Sequence, residues 1–278
     1  MIILLSAADI LQVCAEAGTI RKGETPLAGR KYGLDLGTMN IRIFQGGHGL
    51  VVYEKNMIAI QRKKEVAAIG NDAFEMYERT PASIVISNPV RDGVIADINN
   101  MNKVAETLLK KCGCTTGFMR NNSFYLAVPS DVTEVEKRAY FDLIAHSAYN
   151  THNIFVVEKP LAAALGENVD VKSKKGMMIV DMGAGTTEIT VITMGGIVVS
   201  KLLKVGGNTI NASICQLVKE RHHLVIGDKT AEYLKLELGH AIPGQGRGKT
   251  VFGRDVITGL PSKAEVSDHL VFDAMKNY

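Results

Sequence analysis

Two copies of one strand–turn–strand unit, with alternating strand and helix signals between them, predict an α/β protein with an internal duplication. The first copy runs Tyr32-Gly33-Leu34-Asp35-Leu36-Gly37-Thr38 and continues with Ile41, Ile43 and Phe44 in alternation. The second runs Met177-Met178-Ile179-Val180-Asp181-Met182-Gly183-Ala184-Gly185-Thr186-Thr187 and continues with Ile189, Val191 and Ile192. Each is an apolar strand, a glycine turn opening on an aspartate, and a second strand. Asp35 and Asp181 stand 146 positions apart, about the length of one α/β domain.

The chemistry of these turns points to phosphate. Glycine lets the backbone approach an anion closely, and successive N–H groups then aim at its oxygens. A threonine hydroxyl adds a donor. An aspartate repels phosphate unless a cation lies between them, for which Mg²⁺ held through water is the expected choice. A single Asp-x-Gly-Thr would read as an ordinary hairpin; two copies facing each other would grip a polyphosphate from both sides. A dinucleotide fingerprint fits less well, because Glu188 stands where its third glycine belongs and a strand pattern follows.

Between the copies, Phe124 to Val128 predicts a strand ended by Pro129. Ser130, Asp131 or Thr133 then caps a helix through Val135, Ala139, Leu143 and Ile144, with Glu134 and Glu136 in its first turn. Ile154 to Val157 is a further strand, and Pro160 opens a helix over Leu161 to Leu165 that ends at Gly166. This alternation implies a mixed sheet with helices on its faces. Before the body, Ile3, Leu4, Ala7, Ile10, Leu11 and Cys14 share one helical face opposite Ser6, Asp9, Gln12 and Glu16. Residues 1–30 are therefore expected to be an amphipathic helix plus linker, with membrane contact as one of its uses.

Composition bounds the rest. In 278 residues, 46% hydrophobic and 22% charged content excludes disorder as the main state. A net charge of +3 without long charge runs gives no reason to expect a nucleic-acid partner. Four cysteines (Cys14, Cys112, Cys114, Cys215) form no secreted disulfide framework, so a cytoplasmic location is expected. Cys112-x-Cys114 lacks the second pair that a zinc site needs, and His222-His223 reads as exposed polar surface.

Taken with Glu158-Lys159-Pro160-Leu161-Ala162-Ala163-Ala164-Leu165-Gly166, the two turns resemble those of the actin, DnaK-chaperone and sugar-kinase superfamily. Arg79-Thr80-Pro81, Arg91 to Asp97, Val128-Pro129, Thr133 to Ala139 and Ile226 to Glu232 resemble the MreB family of bacterial actins within it, from about Lys31 to Tyr278. The resemblance implies an actin-like (ribonuclease H-like) fold with an interlobe nucleotide cleft. Its first lobe would cover 31–168, with a small subdomain near 58–87. The second would cover 169–278, with a small subdomain near 205–263, and would be incomplete, because the chain stops at Tyr278 before the family's later adenosine turn. A truncated sequence is the expected cause, with a reduced paralogue as the alternative.

The same resemblance implies ATP and Mg²⁺ as cofactors, self-assembly into filaments at the inner membrane face, and organisation of cell-wall synthesis with the elongation machinery. It assigns Asp35 and Asp181 to Mg²⁺ and water, and Gly37, Thr38, Asn40, Gly183, Ala184, Gly185, Thr186 and Thr187 to the phosphates. Gly206 and Gly207 resemble the turn opening the second small subdomain, and Glu232 and Lys235 the ribose and base contacts, with a solvated ion pair as the plain reading of the latter two. Phe118 and Met119, flanked by Lys110, Lys111 and Arg120, lie where membrane-bound relatives expose an apolar pair. Two site positions depart from the family. Ala184 replaces a central glycine, and Lys159 replaces the second of two glutamates, which orients the attacking water. A charged lysine accepts no hydrogen bond. Slow or absent hydrolysis is therefore expected, with Glu158 as the remaining acceptor. The alternatives are a non-hydrolysing scaffold that copolymerises with a complete paralogue, or a monomeric ATPase module of the chaperone or kinase branch.

Overall fold

The computed structural model describes residues 30–61, 65–114, 122–149, 151–244 and 246–278, without the side chain of His152. The amphipathic segment before Arg30, and Phe118, Met119 and Arg120, lie outside the described residues. The chain falls into two compact units, the first ending at Lys204 and the second running Val205–Tyr278.

The first unit is organised by a five-stranded sheet. Its strands are β1 (Lys31–Leu36), β2 (Asn40–Gln45), β3 (Gly49–Lys55), β9 (Asn122–Val128) and β10 (Thr151–Glu158), in the order β10-β9-β1-β2-β3. The β10, β9 and β1 strands run parallel, whereas β1-β2-β3 is an antiparallel meander, so the sheet is mixed as expected. Strand alternation sends Tyr32, Leu34 and Leu36 to one face, where they pack with Phe124, Leu126 and Val128. That core is closed by α2 (Ile98–Lys111) through Met101, Val104, Leu108 and Leu109, and by α3 (Glu134–Ala145) through Tyr140, Leu143 and Ile144. Thr133 caps α3 in a reciprocal capping box with Glu136, which selects it over Ser130 and Asp131.

The opposite face holds Phe44, Tyr125 and Ala127 against Ala162 of α4 (Lys159–Gly166). The next two residues of α4, Ala163 and Ala164, pack instead with Ile179 and Ile192. Those belong to a second meander, β11 (Met177–Met182), β12 (Thr187–Thr193) and β13 (Gly196–Leu203). The three alanines have no exposed surface, so α4 is a thin wedge between two sheets.

Smaller pieces complete this unit. Strands β4 (Ile58–Gln61), β5 (Glu65–Ile69) and β6 (Ile84–Ser87) form a sheet with α1 (Asn71–Met76) around Met57, Ala59 and Ala73. Strands β7 (Val90–Arg91) and β8 (Val94–Ile95) pair across the two-residue turn Asp92-Gly93. Its φ values of 48° and 79° define the type I′ hairpin for which Asp-Gly is a strong signal.

In the second unit, β14 (Leu224–Val225), β15 (Gly248–Asp255) and β16 (Pro261–Ser267) make an antiparallel sheet. Helices α5 (Gly207–His222), α6 (Asp228–Leu238) and α7 (Asp268–Met275) pack on a separate core around Ile214, Val218, Leu234, Val266 and Val271. Among the described residues no helix is long and apolar enough to cross a membrane.

Candidate functional site

The two aspartate turns are built alike. In the first, Gly37 N–H donates to the Asn40 carbonyl at 3.1 Å; in the second, Gly183 N–H donates to the Thr186 carbonyl at 2.8 Å. The N–H groups of Thr38, Met39, Ala184 and Gly185 make no hydrogen bond within the described protein, leaving donors at both tips. A Cβ on Gly185 would stand 3.0 Å from Thr38 Oγ1 and 3.3 Å from the Asp92 nitrogen, so the two tips approach closely there and a side chain would push on Thr38.

Strand alternation carries Asp35 to the α4 face of its sheet, since its neighbours Leu34 and Leu36 belong to the opposite core. There the first residue of α4 meets it: Lys159 Nζ lies 2.9 Å from Asp35 Oδ1, with both side chains largely buried. Arg42, the cross-strand partner of Asp35, donates to Oδ2 at 3.1 Å. Burial would raise the Asp35 pKa, but Lys159 and then Arg42 hold it below the ordinary carboxylate range. Burial would likewise discharge Lys159, yet the Asp35 charge outweighs it and raises its pKa. A cation at the N-terminus of α4 also opposes the helix dipole, which the carboxylate offsets.

Asp181 sits differently. Its cross-strand partner is Glu188. Burial pushes Asp181 up to about 6; Lys159 works against this, while Asp35 and Glu188 add to it. Glu188 itself is nearly inaccessible, and its Oε1 accepts the Ser130 N–H at 2.8 Å and the Ser130 hydroxyl. With its one proton given to Glu188, Ser130 Oγ can accept from the Ser200 hydroxyl at 2.7 Å, and Ser200 Oγ lies 2.7 Å from Thr190 Oγ1. This hydroxyl chain fastens the end of β9 to β12 and β13.

A cavity of about 200 Å³ lies between the turns, lined by Asp35, Gly37, Thr38, Asn40, Lys159, Asp181, Gly183, Ala184, Gly185 and Thr186. Drug-sized pockets are usually ~300–1,000 Å³, so this space suits a few phosphate groups better than a whole nucleoside. Glu158 and Thr187 do not line it; Thr187 is buried in β12. Sequence reading missed Arg42, Glu188, Gly93 and Pro129, all of which do. The first two carried a signal: each follows its aspartate by seven residues, the spacing that pairs residues across a four-residue hairpin loop. Gly93 carried another in its Asp-Gly turn.

Within the second unit, Gly207, Glu232 and Lys235 come together. Lys235 Nζ donates to the Gly207 carbonyl at 3.2 Å and to Glu232 Oε2 at 2.5 Å, which also accepts from Asn211 Nδ2 at 2.7 Å. Gly206 adjoins them as the N-cap of α5. This is a tied, half-buried cluster and not a solvated pair. Cys112, Cys114 and Cys215 are free thiols, and no metal-binding cluster of histidine, cysteine and carboxylates occurs among the described residues.

The fold and the paired turns define an actin-like protein, and solved structures bear this out. Structures of MreB5 of Spiroplasma citri bound to AMPPNP and to ADP superpose with TM-scores of 0.82 and 0.84 at 32% and 31% identity, covering 91% of this chain and 75% of theirs. The MamK double helical filament structure, at 21% identity and TM-score 0.73 over 89% of this chain and 75% of its own, shares the fold. The MreB/Mbl protein family profile matches residues 29–278. Cell shape-determining protein MreB of Escherichia coli (strain K12) is 36% identical over 252 residues, 87% of this chain and 71% of its own length. Cell shape-determining protein Mbl of Bacillus cereus is 34% identical over 249 residues, 89% of this chain and 74% of its own length. The chain belongs to the MreB/Mbl family.

Proposed function

We propose that this chain is a nucleotide-binding, cell shape-determining cytoskeletal subunit. The observation that carries the reading is the pair of like-built turns with unbonded N–H groups and Lys159 around one phosphate-sized cavity. Membership of a family whose relatives are named cell shape-determining proteins, and likeness to an AMPPNP-bound MreB5, support it. In this reading Gly37, Thr38, Asn40, Gly183, Ala184, Gly185 and Thr186 hold the phosphates, with Thr187 supporting its turn. Gly206, Gly207, Glu232 and Lys235 serve the ribose and base. The lobes divide at 168/169, with small subdomains near 58–87 and 205–263. The subunits assemble with one another on the inner membrane face and work with the cell-wall elongation machinery, with residues 1–30, Phe118 and Met119 as the membrane contacts.

The Lys159–Asp35 pair favours a second reading of the chemistry, in which the chain holds ATP without appreciable turnover and copolymerises with a hydrolysing paralogue. Lysine cannot accept a hydrogen bond from an attacking water, and Glu158 does not line the cavity. A missing base typically costs about 10²–10⁴-fold in rate. The expected Mg²⁺ meets an obstacle here as well. One Asp35 oxygen faces Lys159 and the other faces Arg42, so this carboxylate does not fit a hydrated divalent cation.

Titration calorimetry with ATP tests the nucleotide reading. The native chain should bind, and Gly185→Val should lose at least about tenfold in affinity, or ~1.4 kcal/mol, because its side chain would fill the meeting point of the tips. Equal affinity in a folded Gly185→Val variant would remove the phosphate site from between the turns.

A further inference from the structure

We infer that the Lys159 ammonium stands in for a divalent cation, so that the chain holds a metal-free nucleoside polyphosphate as well as it holds the Mg²⁺ complex. The inference rests on the nucleotide reading above and specifies the form of ligand that the site accepts. Its basis is geometric. The ammonium lies 2.9 Å from Asp35 Oδ1, its side chain is largely buried, and it lines the same cavity as both turn tips. Arg42 lines it too and takes the other Asp35 oxygen at 3.1 Å.

The charges agree with this placement. Asp35, Asp181 and Glu188 face Lys159 and Arg42 around the cavity, leaving one net negative charge when all are ionised. A polyphosphate entering there meets two fixed cations and the N–H groups of the tips. A hydrated Mg²⁺ would have to approach Asp35 past a buried ammonium of like sign, and would gain only the Asp181 side of the cluster. Lysine serves phosphate well as a point charge with rotatable donors. Here it is tethered at the N-terminus of α4, whose dipole also favours an anion. Replacing Lys159 by glutamate would lower the local charge by two, the charge of one Mg²⁺ ion. That variant should therefore demand the metal that the native chain does without.

The test is the affinity of the purified full chain for ATP, measured by calorimetry in EDTA and again in excess MgCl₂. The native chain is expected to differ by less than about threefold between the two. Lys159→Glu is expected to bind at least about tenfold more weakly in EDTA than in Mg²⁺, and Lys159→Gln to fall between. A native chain that binds at least tenfold more tightly with Mg²⁺ overturns the inference while leaving the nucleotide reading intact. Absence of ATP binding under both conditions overturns the nucleotide reading, and the inference with it. Circular dichroism checks that each variant folds; if Lys159→Glu does not, the native chain and Lys159→Gln decide the matter.

Discussion

The two halves of the phosphate site share a backbone and differ in electrostatics. Each has an apolar strand, an aspartate, and a four-residue loop closed by the same glycine-to-carbonyl hydrogen bond. Seven residues on, each aspartate meets its cross-strand neighbour, and there the copies part: Arg42 faces Asp35, while Glu188 faces Asp181. The first carboxylate is consequently held charged by two cations, and the second is pushed up to about 6 by burial and by two other carboxylates. Duplication supplied a repeated turn; one cross-strand position decided what each copy does with its charge.

The largest expected effect comes from Lys159, which both copies share. Lys159→Ala leaves Asp35 buried with Arg42 alone, and should cost about 3–5 kcal/mol in urea unfolding. A loss below ~1 kcal/mol would mean that Arg42 suffices and that the copies are less asymmetric than their geometry suggests.

The next prediction separates the copies by pH. Asp181 has a raised pKa in the folded chain, so the native state binds its proton more tightly than the unfolded chain does. Its contribution is present below about pH 4 and is lost as pH rises to about 6. Asp181→Asn should therefore be more stable than the native chain at pH 7 by about 2 kcal/mol, and should lose that segment of the pH profile. Asp35 has the opposite sign: its lowered pKa gives stability above the unfolded carboxylate value that disappears as pH falls. Parallel pH profiles for Asp181→Asn and the native chain would break the comparison at its root.

The smallest effect is at Arg42. Its side chain is 28% exposed, so Arg42→Gln should cost only about 1 kcal/mol while shifting the acid limb contributed by Asp35 upward in pH. An unchanged acid limb would leave Lys159 as the sole cation that matters to Asp35.

Much of this architecture was legible. Apolar runs ending in Asp-x-Gly placed β1 and β11, Pro129 and Pro160 marked where β9 ends and α4 begins, and the Thr133/Glu136 box fixed the start of α3. Membership of the turns in one site followed from their repetition. What escaped was pairing across strands and between sheets. Arg42 and Glu188 look like solvent-facing strand residues until a register is known, and a slip of one residue would have sent each to the other face. Lys159 could be read as a departure from a family pattern, but its ion pair with Asp35 depends on a helix lodged between two sheets, and no local sequence period encodes that. The Gly207, Glu232 and Lys235 cluster likewise depends on two helices brought together by their shared core.

The alanine wedge has a consequence of its own. Because Ala162 packs on the first sheet and Ala163 and Ala164 on the second, with Leu161 and Leu165 beside them, the spacing of the two sheets that carry Asp35 and Asp181 is set by one helix whose fully buried side chains there are methyl groups. Any larger side chain there would act as a shim, prising the two carboxylates apart and drawing the lysine at the tip of that helix away from at least one of them. The gauge of the phosphate site is thus written in residues that never touch the cavity.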